Sequence, residues 1–161
     1  MVKIVKSFFN TIFGAVIGIV LTIFVVWMYA PGLMLKEYSS PYDVDTTIEM
    51  IKNNATAENW VVPGVSSLHK SIKKHGGGEL PPIKLVNMCR PDYAYDILKE
   101  DNNKIVSVFM PCTISVYEKS DGKVYIGTMN AELLGKMFGG TVAEIMGDSV
   151  AADQRKIIEL N

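Results

Sequence analysis

Between Phe8 and Ala30 the chain carries 23 consecutive residues without a charge, FFNTIFGAVIGIVLTIFVVWMYA. At about 1.5 Å per residue, a helix of that length covers roughly 30 Å of hydrocarbon with some slack for tilt. The expected division is therefore a cytoplasmic stub and transmembrane helix over 1–32, and one extracytoplasmic domain over 33–161, a size that still encloses a modest core. Trp27 and Tyr29 stand at the far end like an interfacial aromatic belt, and Pro31-Gly32 is expected to stop the helix. A cleaved signal peptide fits less well. Its apolar region is normally about 7–15 residues and ends at a small-x-small site, whereas here Met28 stands three residues before the break and Pro31 follows it.

Lys3 and Lys6 precede the apolar run, and no Lys or Arg occurs between them and Lys36. By the positive-inside rule the N-terminus stays inside, the helix passes the cytoplasmic membrane once, and the domain faces a periplasm or the exterior. From Lys36 onward the chain has 14 basic and 17 acidic residues, a net charge of −3. That balance lacks the electrostatic footprint of a nucleic-acid partner. Gly14 and Gly18 have the GxxxG spacing that allows two membrane helices to approach closely.

Within the domain, Leu33 to Ser40 reads as a first strand, followed by a helix capped by Asp45 or Thr46 with Val44, Ile48, Ile51 and Ala55 along one stripe. NWVVPGV reads as a short strand and Ser67 to His75 as a short helix ended by Gly76. Ile83 to Cys89 suits a strand, and Pro91 opens a helix in which Tyr93, Ala94, Ile97 and Leu98 can face inward. Two β-rich runs, Ile105 to Glu118 and Lys123 to Met129, flank Asp121-Gly122, a strong hairpin signal. Ala131 to Phe138, stopped by Gly139-Gly140, and Thr141 to Leu160 complete the pattern as helices.

The succession PYDVDTTIEMI, then HG, KLVNMCRPDYAYDIL and VFMPCTISVYEKSDGKVYIGTMN resembles the bacterial and archaeal family catalogued as domain of unknown function family 302. The likeness runs from Leu35 to Leu160 and is sharpest at Cys89-x-Pro91 and Met110-Pro111-Cys112, leaving the membrane helix outside it. It implies an α+β domain with a curved antiparallel sheet backed by helices, similar to TATA-binding-protein-like folds, and a homodimer. No activity comes with it.

Chemistry in this chain has few carriers. The histidines His69 and His75 stand in a Lys-rich segment outside any nucleophile or zinc-protease motif, and Gly76-Gly77-Gly78 lacks the Gly-Lys-Ser/Thr ending of a phosphate loop. Cys89 and Cys112 are the most informative pair, each close behind a methionine, Met88 or Met110. In an oxidising compartment two cysteines suggest a disulfide. Thiolates with a thioether and a nearby histidine suit instead copper(I), haem iron or reactive sulfur species. Inert buried thiols are the third possibility. The expected function is a membrane-anchored binding or sensing module that carries no group transfer, with Cys89, Cys112, Met110 and His69 around the ligand and Cys89 and Cys112 on any metal. Two alternatives stand beside it: thiol redox chemistry on the same pair, and a non-catalytic structural dimer that docks a membrane complex. Arg90 and the helix start after Pro91 favour Cys89 as the more acidic thiol.

Overall fold

The structure, a computed structural model, describes residues 2–160, so Met1 and Asn161, the outer limits of the two expected parts, lie outside it. The chain separates into two compact units, one ending at Met34 and the other beginning at Leu35.

The first unit is one helix, α1 (Val2–Met34). It is long and apolar enough to cross a membrane, with a mean hydropathy of 2.3 over Phe13–Ala30. Within this stretch Thr22 Oγ1 donates to the carbonyl of Gly18 at 2.8 Å, which satisfies a hydroxyl that hydrocarbon would leave without a partner. Pro31 does not stop the helix as expected. A proline near a helix end removes a single i→i−4 bond, and the remaining ladder carries the backbone three residues further.

The second unit holds a five-stranded, wholly antiparallel sheet of order β1-β5-β4-β3-β2, built from β1 (Leu35–Ser40), β2 (Val61–Ser67), β3 (Ile83–Cys89), β4 (Cys112–Glu118) and β5 (Val124–Met129). Alternation along the strands sends Val86, Met88, Ile114, Val116 and Ile126 to one face, all 2% exposed or less. Over that face lies α2 (Val44–Ala57), which buries Ile48, Ile51 and Ala55 and packs against β3 and β4. Its cap is Asp43 rather than Asp45 or Thr46: the Asp43 carboxylate accepts from Thr46 N at 2.9 Å and from Thr46 Oγ1 at 2.6 Å. Edge strand β2 tolerates Pro63 because a bulge between Val61 and Gly64 already breaks its ladder.

The hairpin forms as the Asp-Gly signal predicts, with Gly122 at φ +76° and the Lys119 amide donating to the Lys123 carbonyl at 3.0 Å. Its first strand is much shorter than expected. Residues Asp101–Phe109 form a 3-10 helix after α4 (Pro91–Leu98), and β4 begins only at Cys112, beyond the cis Met110–Pro111 peptide. Pro111 has no N–H to donate to a ladder, and of the apolar side chains in 105–108 only Val106 turns inward, while Ile105 and Val108 face out.

Short helix α3 (Leu68–Lys74) follows β2, and α5 (Ala131–Phe138) follows β5. The last helical stretch is continuous but not uniform: α6 (Gly140–Val142) passes into a π-helical segment, Ala143–Val150, and then into α7 (Ala151–Ile157). Helix α5 meets the π-helical segment backbone to backbone, since a Cβ added at Gly135 would fall 2.3 Å from Gly147 N. Glycine is required there by close approach.

Candidate functional site

Cys89 is the last residue of β3 and Cys112 the first of β4. The ladder pairs Met88 with Cys112, so Cys89 lies one step along from a direct partner, and the ordinary strand dimensions put the two cysteine Cα atoms about 6 Å apart. Both are free thiols. Together with Met110 they line a partly open cavity of about 30 Å³, whose wall also includes Trp60, Tyr93, Phe109, Met146 and Val150. That volume holds about one water-sized group. Met146 and Val150 both come from the π-helical segment, which brings them onto the cavity wall.

One rim of the cavity is a polar network made by residues far apart in the chain. Arg90 Nη1 donates to Asp153 Oδ2 at 2.8 Å and to the Glu58 carbonyl at 3.2 Å, and Arg90 Nε faces Asp92 at 3.3 Å. Trp60 Nε1 donates to the same Asp153 Oδ2 at 3.1 Å. The guanidinium lies 4.1 Å over the Tyr93 ring, whose edge-on contact with Trp60 spans 6.3 Å. Asp153 is buried, so a carboxylate without these two donors would be strongly destabilising. Arg90 is thus committed to Asp153 and Asp92, and its charge is largely engaged away from the thiols.

Burial, and then the neighbouring Cys89, push the Cys112 thiol from its ordinary 9.0 up to about 11. Near neutrality Cys112 is therefore a protonated thiol, a weak hydrogen-bond donor in an apolar wall rather than a nucleophile. A soft metal ion or an oxidant at this site must displace its proton.

Of the four residues expected around a ligand, Cys89, Cys112 and Met110 meet at the cavity. His69 does not. Its Nδ1 accepts from the Ile83 amide at 3.0 Å, at the opposite end of β3 and about 20 Å along the strand from Cys89, so it serves as a strand-end cap. Among the described residues no three His, Cys, Asp or Glu side chains cluster as a metal centre would require, and any metal here has two thiols and the Met110 thioether to draw on. Haem does not fit, because a pocket for a cofactor of that size runs to about 300–1,000 Å³ against the roughly 30 Å³ present. The sequence pattern pointed to Tyr93 only as an inward-facing helix residue, and it singled out neither Trp60 nor Asp153. A signal existed for Asp153: it shares a helix face with Val150 and Ile157, and an acid on an apolar stripe calls for a buried partner.

The opposite face of the sheet carries a wider groove of about 550 Å³ near the start of β1. There Tyr117 reclines over Gly127, where a Cβ would approach its Cε1 to 3.2 Å, and its hydroxyl donates to Glu37. Lys119 Nζ donates to the other Glu37 oxygen at 2.8 Å and sits 4.0 Å above the Tyr125 ring. Burial and then the Glu37 hydrogen bond push the Tyr117 hydroxyl up to about 12. The cluster ties edge strand β1 to the hairpin.

Fold and site together define a small α+β domain, a five-stranded antiparallel sheet backed by helices on one face, with a thiol-lined cavity at the β3–β4 end. The chain belongs to the family described as domain of unknown function DUF302, whose sequence profile matches residues 36–160. Among solved structures it is similar to an uncharacterized conserved DUF302 protein from Bacillus stearothermophilus, with a TM-score of 0.68 and 19% identity over 78% of this chain and 95% of that one. That likeness establishes the fold. No curated protein matches the chain.

Proposed function

We propose that the protein is a membrane-anchored module whose outer domain binds a single small soft ligand, copper(I) being the ion that best suits the donors, between Cys89, Cys112 and Met110. The observation that carries this reading is the convergence of two free thiols and a thioether on one apolar, atom-sized cavity. In the same reading α1 is an uncleaved anchor, with Lys3 and Lys6 holding the N-terminus inside. Because Cys112 is protonated near neutrality, binding releases a proton and affinity rises with pH. The reduced full-length chain in detergent, titrated with copper(I) against a chromophoric copper(I) chelator, should take up one equivalent. Cys89→Ala and Cys112→Ala should each abolish that uptake and Met110→Leu should weaken it. Undiminished uptake in both cysteine variants would falsify the proposal.

A second reading rests on the two free thiols that line one small cavity. A disulfide needs their Cβ atoms turned toward each other as well as a short Cα spacing, and the shared lining is what favours that approach. A dithiol here can pass two electrons and two protons to an external disulfide, which is reduced to two thiols as Cys89 and Cys112 join. Mass spectrometry after exposure to oxidised glutathione separates the two readings: loss of two hydrogens from the chain supports exchange, and an unchanged mass leaves only the ligand site.

A further inference from the structure

The domain exposes large apolar side chains in one neighbourhood. Ile105 and Val108 on the 3-10 helix are 74% and 77% exposed, Leu35 is 66% exposed, and Met137 and Phe138 at the end of α5 are 66% and 49% exposed. They are linked in space. Leu35, Val108 and Phe109 line one groove, and the Phe109 and Phe138 rings meet edge-on at 6.0 Å. Ile105 stands three residues before Val108 on the 3-10 helix and Met137 stands next to Phe138, and exposed apolar side chains grouped in this way are the kind of surface that meets a protein, a ligand or a membrane.

Chain length says which phase is nearest. The apolar window of α1 closes at Ala30, and β1 begins at Leu35 with no residue between it and the end of α1. Five residues at about 1.5 Å each keep Leu35 within roughly 8 Å of the hydrocarbon edge, and the headgroup layer is itself about 5–8 Å thick. Chain connectivity therefore keeps Leu35, and the groove it lines, within reach of the layer where amphipathic surfaces insert. Lys104 and Lys136 beside the patch are paired with Asp101 and Glu132, while Lys36 lines the groove next to Leu35 and can face lipid headgroups, so apolar area carries the contact and charge is at most an addition to it.

We infer that the face formed by Leu35, Ile105, Val108, Met137 and Phe138 docks into the headgroup–acyl boundary of the bilayer that holds α1, an inference that rests on the membrane-anchor reading. The occupant is uncharged lipid interface, and docking persists in purely zwitterionic membranes.

The test uses the full chain in phosphatidylcholine vesicles, with Trp27→Phe to remove the membrane tryptophan and a reporter tryptophan placed by Val108→Trp, whose emission is read after subtracting that of the Trp27→Phe chain, in which buried Trp60 alone remains. Ser120→Trp, in the hairpin turn at the opposite end of β5 from Met129, is the control. Flotation after an alkaline wash reports anchoring separately. Lipids brominated on the acyl chain should quench the Val108→Trp emission about twofold and leave Ser120→Trp unchanged, as insertion of about 5–10 Å requires. Ile105→Trp should behave like Val108→Trp. Chains that float but show equal, weak quenching at both positions overturn the docking while leaving the anchor intact, and emission that changes only with protein-to-lipid ratio assigns the face to a second copy instead. Failure to float overturns anchor and docking together.

Discussion

Trp60 and Asp153, 93 residues apart in sequence, share a buried hydrogen bond of 3.1 Å from the indole nitrogen to a carboxylate oxygen that Arg90 also holds. The bond joins the loop after α2 to the last helix and forms one rim of the thiol cavity.

Replacing Asp153 by Ala removes the acceptor of both donors and leaves the Arg90 charge half-buried beside an apolar cavity. Breaking one partner of such a pair costs about 3–5 kcal/mol. Chemical denaturation followed by Trp60 fluorescence in a Trp27→Phe background should show that loss, whereas Asp92→Ala, whose side chain is exposed, should change stability by less than about 1 kcal/mol.

Gly135→Ala sets two effects of opposite sign against each other. Helix propensity favours Ala by about 1 kcal/mol. The added Cβ would lie 2.3 Å from Gly147 N and 2.7 Å from Gly147 Cα, both rigid backbone atoms, and overpacking of that kind costs about 1–3 kcal/mol or more. The net expectation is destabilisation with α5 displaced from the π-helical segment, measurable as a lower thermal midpoint. An unchanged or higher midpoint would show that the two segments can separate freely.

The raised pKa of Cys112 makes stability depend on alkaline pH. The folded state prefers the protonated thiol, so this contribution is fully present below the ordinary 9.0 and is lost as pH rises through about 11. Wild type should lose on the order of 2 kcal/mol more than Cys112→Ala between about pH 8 and about pH 11. Parallel curves for the two proteins would contradict the burial of this thiol.

Membrane topology has its own readout. Protease added outside spheroplasts should digest the domain and leave a short fragment in the membrane, with Lys3 and Lys6 still attached. A mature N-terminus near Pro31 would instead identify α1 as a removed leader.

Much of the fold was legible because its signals are local. The Asp121-Gly122 turn, the run Ile83 to Cys89, Pro91 at a helix start and Gly139-Gly140 after Phe138 each act on the backbone within a few residues, and each element appears where those signals put it. The stretch Ile105 to Phe109 read as strand because Ile-Val-Ser-Val-Phe has β-forming composition. Composition does not show that only Val106 among its aliphatic side chains finds the core, and that single inward contact suits a 3-10 turn.

From the sequence alone came the uncharged helix, the α+β pattern, the family, and Cys89, Cys112 and Met110 as the residues to watch. Tertiary structure alone decided which of the expected residues share a site. It placed His69 at the far end of β3, set Met146 and Val150 on the cavity wall, and joined Trp60, Arg90 and Asp153. The physical reason is range: propensity and hydrophobic period act over a turn or a strand, whereas a cavity forms only where strand order and helix packing bring separate segments together.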